Sequence, residues 1–144
     1  MKKKYVDAYI DIAYRVAELS HARRLKVGAV IVKDDVITYG YNGMPSGWDN
    51  DCETEVWNVH DGSCELKTRP EVLHAESNAV SKMAKSTVSA NDADMFITHS
   101  PCIDCAKLIF QAGVKRVFYS KDYRSPAGIE FLQKSGVTVE QITR

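Results

Sequence analysis

Apolar residues recur at helical spacing near the start of the chain. Ala8, Ile12, Val16 and Leu19 lie three or four positions apart, which predicts an amphipathic helix over roughly residues 4–19. Val27-Gly-Ala-Val-Ile-Val32 is a near-continuous apolar run and predicts a buried strand, with a turn at Lys33-Asp-Asp35 and a hairpin partner at Val36–Tyr39. From Gly40 to about Arg69 the pattern dissolves into Gly, Asn, Asp, Ser and Pro, punctuated by Trp48, Cys52, Trp57, His60 and Cys64. That predicts about 30 residues of loop, a length that tends to be functional. A helix follows from His74 to about Ala84, then a strand over Met95–Thr98. Ser100 and Pro101 suit the N-cap and first turn of a helix that reaches Gln111 and stops at Gly113. Arg116–Tyr119 predicts a strand, Ser125-Pro126 opens a helix ending at Gly136, and Val137–Ile142 predicts the last strand.

The expected fold class is therefore α/β with a five-stranded mixed sheet. Its last two strands are joined by a helix and should run parallel, since a short hairpin serves only antiparallel neighbours. With 144 residues the chain fits one domain, 1–144, interrupted by a long insertion at about 43–73.

Composition narrows the function. Nineteen basic residues balance nineteen acidic ones, so there is no electrostatic footprint for a nucleic-acid polymer or an anionic membrane. No apolar run approaches the roughly 20 residues of a membrane span, and the segment after Met1-Lys-Lys-Lys is too charged for a signal-peptide core. A cytoplasmic protein is expected, whose cysteines at 52, 64, 102 and 105 serve metal or redox chemistry rather than a disulfide framework.

Two motifs carry chemistry: His74-Ala-Glu76 and Pro101-Cys-Ile-Asp-Cys105, each at a predicted helix start. A catalytic zinc takes three protein ligands and keeps a position for water, whereas a structural zinc is closed by four. His74, Cys102 and Cys105 supply three; cysteines at i and i+3 share a helix face, and the helix dipole favours thiolates there. Glu76, two residues from a ligand, is placed to move protons. The pair of motifs matches the signature of zinc nucleobase deaminases. A thioredoxin-like redox pair or a structural zinc site would also use the two cysteines, but either leaves Glu76 without a task.

From Val27 to Ile142 the sequence resembles the deoxycytidylate (dCMP) deaminases, most closely the compact phage and bacterial forms. The resemblance rests on Lys26–Val32, Gly40-Tyr-Asn-Gly43, His74–Ala79, Ser100–Ala106 and Gly113–Tyr119. It implies a three-layer α-β-α cytidine-deaminase-like fold and hydrolysis of dCMP to dUMP and ammonia. Free cytidine deaminases end on antiparallel strands, and tRNA adenosine deaminases, which with other nucleobase deaminases are the alternative reading, have a short connection where this chain has the insertion. The resemblance further implies substrate contacts from Asn42, Arg24, Lys26, Tyr123 and Arg124, the last two as a phosphate clamp. It implies a hexamer activated by dCTP and inhibited by dTTP with Mg2+, the effector sitting near Gly40, Tyr41, Asn42 and Gly43. Some relatives carry a second zinc in the insertion; here Cys52, His60 and Cys64 are its candidate ligands, with His21 a remote fourth.

Overall fold

The apolar run at the start of the first hairpin forms the interior of the sheet because its alternate side chains serve two cores. A computed structural model describes all residues, 1–144. Helix α1 (Lys3–Ala17) precedes the hairpin of β1 (Gly28–Lys33) and β2 (Val36–Tyr41), and a second hairpin follows, β3 (Glu53–Trp57) with β4 (Cys64–Thr68). Then come α2 (Ala75–Lys85), β5 (Asp94–His99), α3 (Ile103–Gln111), β6 (Arg116–Lys121), α4 (Ala127–Lys134) and β7 (Thr138–Gln141).

The main sheet has the order β2-β1-β5-β6-β7. β1 pairs antiparallel with both β2 and β5, while β5, β6 and β7 are mutually parallel. The parallel final pair is as expected. Val30 and Val32 of β1 point towards α1, where they meet Val6, Ile10 and Ala13 together with the stacked rings of Phe96 and Phe118. Ala29 and Ile31, one residue out of phase, point the other way, into a larger cluster with Ala79 and Met83 of α2, Ile109 of α3 and Leu132 of α4. The result is three layers: α1, the sheet, and α2, α3 and α4. No helix is long and apolar enough to cross a membrane.

Two expectations are corrected. Residues 40–69 are not all loop: Glu53–Trp57 and Cys64–Thr68 pair antiparallel, Glu53 opposite Thr68 and Trp57 opposite Cys64. Both strands are largely exposed on both faces, so they carry no in–out alternation for a periodicity argument to find. Second, α3 begins later than Ser100 implies. Cys102 is the N-cap, its sulfur accepting the Cys105 backbone N–H at 3.4 Å, while the Ser100 hydroxyl accepts the Tyr123 backbone N–H at 2.8 Å.

Candidate active site

Strand polarity gathers the chemistry at one edge of the sheet. β5 and β6 present their carboxyl ends there, and the antiparallel β1 presents its start, since Ala29 stands opposite Ile97. Ligand sites in α/β sheets favour this edge, where loops leave the parallel strands. β5 ends at His99, and the chain passes through Ser100 and Pro101 into Cys102 at the head of α3. His74 occupies the same N-cap position on α2, and Glu76 lies in that helix's first turn.

Two glycines let these segments close up. A side chain at Gly40 would lie 2.3 Å from the Ala75 carbonyl, and one at Gly128 would lie 2.1 Å from the Pro101 carbonyl. Each ligand-bearing helix start is therefore packed directly against backbone.

Nδ1 of His74 lies 3.3 Å from the Cys105 sulfur and 3.6 Å from that of Cys102. All three ligand atoms fall within 4.8 Å of one another, the one such cluster in the chain. Tetrahedral zinc, with Zn–S near 2.3 Å and Zn–N near 2.0–2.1 Å, asks for donor separations of about 3.5–3.8 Å, so the spacing fits. The electrostatics fit as well. Hydrogen bonds from Cys105 and then His74 pull the Cys102 thiol down to about 3. The same sulfur contact, together with burial and the nearby Glu76, pushes the Cys105 thiol up. The bond to Cys102 holds His74 above the usual histidine value, and burial raises the Glu76 carboxyl above the carboxylate range. Two thiolates beside a carboxylate and a neutral imidazole make a donor set whose accumulated negative charge suits a cation among them.

His74 and Cys102 of the cluster, with Glu76, line a cleft that holds about 670 Å³ of empty space, the open solvent at its mouth included. Arg24, Asn42, Glu76 and Tyr123, all expected, line it. Asn42 spans the segment before β1, its Oδ1 accepting the Val27 N–H at 2.9 Å and its Nδ2 donating to the Leu25 carbonyl at 2.8 Å. Arg24 donates to the Thr68 hydroxyl at 2.9 Å, and Arg124 stacks over the Tyr123 ring, 4.9 Å from its centre.

Other expected residues are not brought to the cleft. Lys26 is exposed in a separate groove with Asp11, Arg15 and Arg144, because it and the cleft-lining Leu25 and Val27 point to opposite sides of an extended segment. Gly40 is buried under α2 and offers no face to an effector. Tyr41 is half-buried, its carbonyl accepting from Asn78, and Gly43 pairs with Leu73. The candidate second zinc site is not assembled. Cys52 is buried at the base of the β3–β4 hairpin, whereas exposed Cys64 stands opposite Trp57, and exposed His60 lies in the turn beyond. Five residues of strand at about 3.3 Å each separate the two sulfurs' backbones.

Sequence reasoning missed Thr68, Glu53 and His99 and gave Cys52 another role, yet all four line the cleft. Glu53 and Thr68 arrive on the unforeseen hairpin, and Cys52 just before it. His99 carried a readable signal: a histidine closing an apolar strand three residues before a ligand cysteine.

Comparison with known proteins agrees with this geometry. The family model described as the cytidine and deoxycytidylate deaminase zinc-binding region matches residues 3–121. ComE operon protein 2 of Bacillus subtilis is 39% identical over 90% of this chain and 67% of its own length. The deoxycytidylate deaminase of Enterobacteria phage T2 is 32% identical over 94% of this chain and 90% of its own. The crystal structure of dCMP deaminase from the cyanophage S-TIM5 in complex with dCMP and dUMP superposes with a TM-score of 0.86, at 46% identity and over 99% of both chains. The chain belongs to the zinc-binding cytidine and deoxycytidylate deaminase family.

Proposed function

We propose that this enzyme hydrolyses dCMP to dUMP and ammonia. The observation that carries the reading is a buried carboxyl group, Glu76, beside a three-donor cluster, two of whose donors, His74 and Cys102, line the same cleft. The likeness to the cyanophage enzyme solved with dCMP and dUMP supports the choice of nucleotide. His74, Cys102 and Cys105 would hold zinc. When bound, zinc supplies Lewis acidity that brings a water in the cleft towards a pKa of about 7. Glu76 takes a proton from the attacking water and gives it to the ring nitrogen, then takes the proton of the hydroxyl newly added at the ring carbon and gives it to the amine, which leaves as ammonia while the carbonyl forms. Burial keeps the Glu76 carboxyl high enough to serve as acid as well as base. Arg24 and the stacked Tyr123–Arg124 pair hold the phosphate at the rim.

The same reading makes the protein a regulated cytoplasmic oligomer, expected as a hexamer, activated by dCTP and inhibited by dTTP with Mg2+. Trp48 and Trp57 of the insertion are 54% and 62% exposed in the single chain, which suits burial against another subunit. With Gly40 enclosed, Tyr41, Asn42 and Gly43 are left to meet an effector. The test follows cytosine absorbance with dCMP, CMP and deoxycytidine, with and without each triphosphate and Mg2+, alongside light scattering. Turnover of dCMP, sigmoidal in substrate and made hyperbolic by dCTP, is expected. Inert dCMP defeats the substrate; a monomer indifferent to both triphosphates defeats the regulation.

A further inference from the structure

His99 is buried at the end of β5 and lines the cleft. Its Nδ1 lies 2.8 Å from the hydroxyl of Thr98, which is completely buried. That hydroxyl also accepts the Gly28 backbone N–H at 3.2 Å and has no other acceptor to donate to. A hydroxyl has one proton, so it goes to Nδ1 of the imidazole. The ring is then the tautomer with its own proton on Nε2. No polar side-chain atom is sealed in the interior without a partner, and Nε2 has no partner in the chain. It therefore opens to the cleft. The Tyr123 ring meets the imidazole edge-on, with centres 6.2 Å apart, and limits its rotation.

We infer that His99 is a substrate-reading residue that donates its Nε2–H to an uncharged oxygen on the nucleoside half of the substrate. The inference rests on the nucleotide reading above. Depth and charge select the acceptor. The guanidinium groups of Arg24 and Arg124 are exposed, so a phosphate dianion remains with them near water. His99 is buried, and burial together with the charge of Lys121 favours its neutral form. A neutral donor suits a ring carbonyl or a sugar oxygen, and leaving such an oxygen buried without a donor carries a penalty.

Kinetics with His99→Leu provide the test, because leucine fills a similar volume without a donor. Its kcat/KM for dCMP should fall about 10- to 100-fold, the range expected for an unpaired buried acceptor. The loss should persist with deoxycytidine, which lacks the phosphate, and zinc content should be unchanged. His99→Gln, which returns an N–H near the same place, should recover part of the loss. Nitrogen-15 correlation spectra of the parent protein should show His99 protonated at Nε2 only, and Thr98→Val should mix the tautomers. Parent-level activity in His99→Leu, a penalty confined to the phosphorylated substrate, or a proton on Nδ1 each overturns the inference while dCMP turnover by the parent stands. A parent inert towards dCMP overturns the nucleotide reading itself.

Discussion

The sheet with its helices and the inserted hairpin are held by different forces, and the cleft lies between them. In the body, Ala29, Ile31, Met95, Ile97 and Leu132 are fully buried, and the ligand helices close onto backbone at Gly40 and Gly128. In the hairpin, Val56, Trp57 and Val59 face solvent, and β3 buries only its first residue, Glu53. That carboxyl group accepts the Arg23 backbone N–H at 2.7 and 3.1 Å. Arg23 also donates to Glu55 at 3.2 Å and Arg24 to Thr68 at 2.9 Å, while the bonds from Arg69 to Asp49 and the Asp51 carbonyl, at 2.9 and 3.0 Å, brace the insertion itself. Chemistry thus sits where apolar packing holds atoms to tight tolerances. The wall that meets the substrate hangs on a few polar ties, each worth only about 1 kcal/mol net.

Variants in the two regions should separate these roles. Cys105→Ala should have the largest effect, losing bound zinc and all measurable deamination. Elemental analysis beside the activity assay checks both, and active protein without a transition metal would contradict the ligand set. Glu76→Gln should keep zinc and fold while kcat drops by about 10²–10⁴, the usual worth of general acid–base help. Near-parent turnover would place the proton carrier elsewhere. In the hairpin, Glu53→Ala should raise KM about tenfold, from loosening of the Arg23–Arg24 segment, with kcat and zinc little changed. Equal losses in kcat and zinc would mean the wall and the metal floor are one unit.

The smallest expected effect is a pH dependence of stability. Burial, aided by Lys121, holds His99 below the ordinary histidine value. Between about pH 6.5 and its folded value, the unfolded chain binds more protons, so stability falls as pH drops through that window. Thermal melts of parent and His99→Gln across the window should show a shallower acid slope in the variant. Parallel slopes would mean that His99 is as easily protonated in the folded chain as in the unfolded one.

The elements that obey a short period were legible from residues alone. β1 could be recognised because both its faces are apolar; α1 is a helix as expected, but Ala8, Ile12 and Leu19, which marked it, are exposed, and its buried face is Val6, Ile10, Ala13 and Val16. The three zinc donors and Glu76 could be recognised because metal and proton chemistry restrict residue types and spacing to a few combinations. The hairpin was hidden, since strands wet on both faces have no hydrophobic period. Distance along the chain gave no warning that Cys52 and Cys64 would part company in that hairpin, or that Lys26 would turn from the cleft that Arg24 enters. Nor could a linear pattern reveal that Thr98, Gly28 and His99, brought together across two strands, would pin one proton. Such facts depend on register and side-chain direction, which follow from long-range packing and only emerge once the chain is folded.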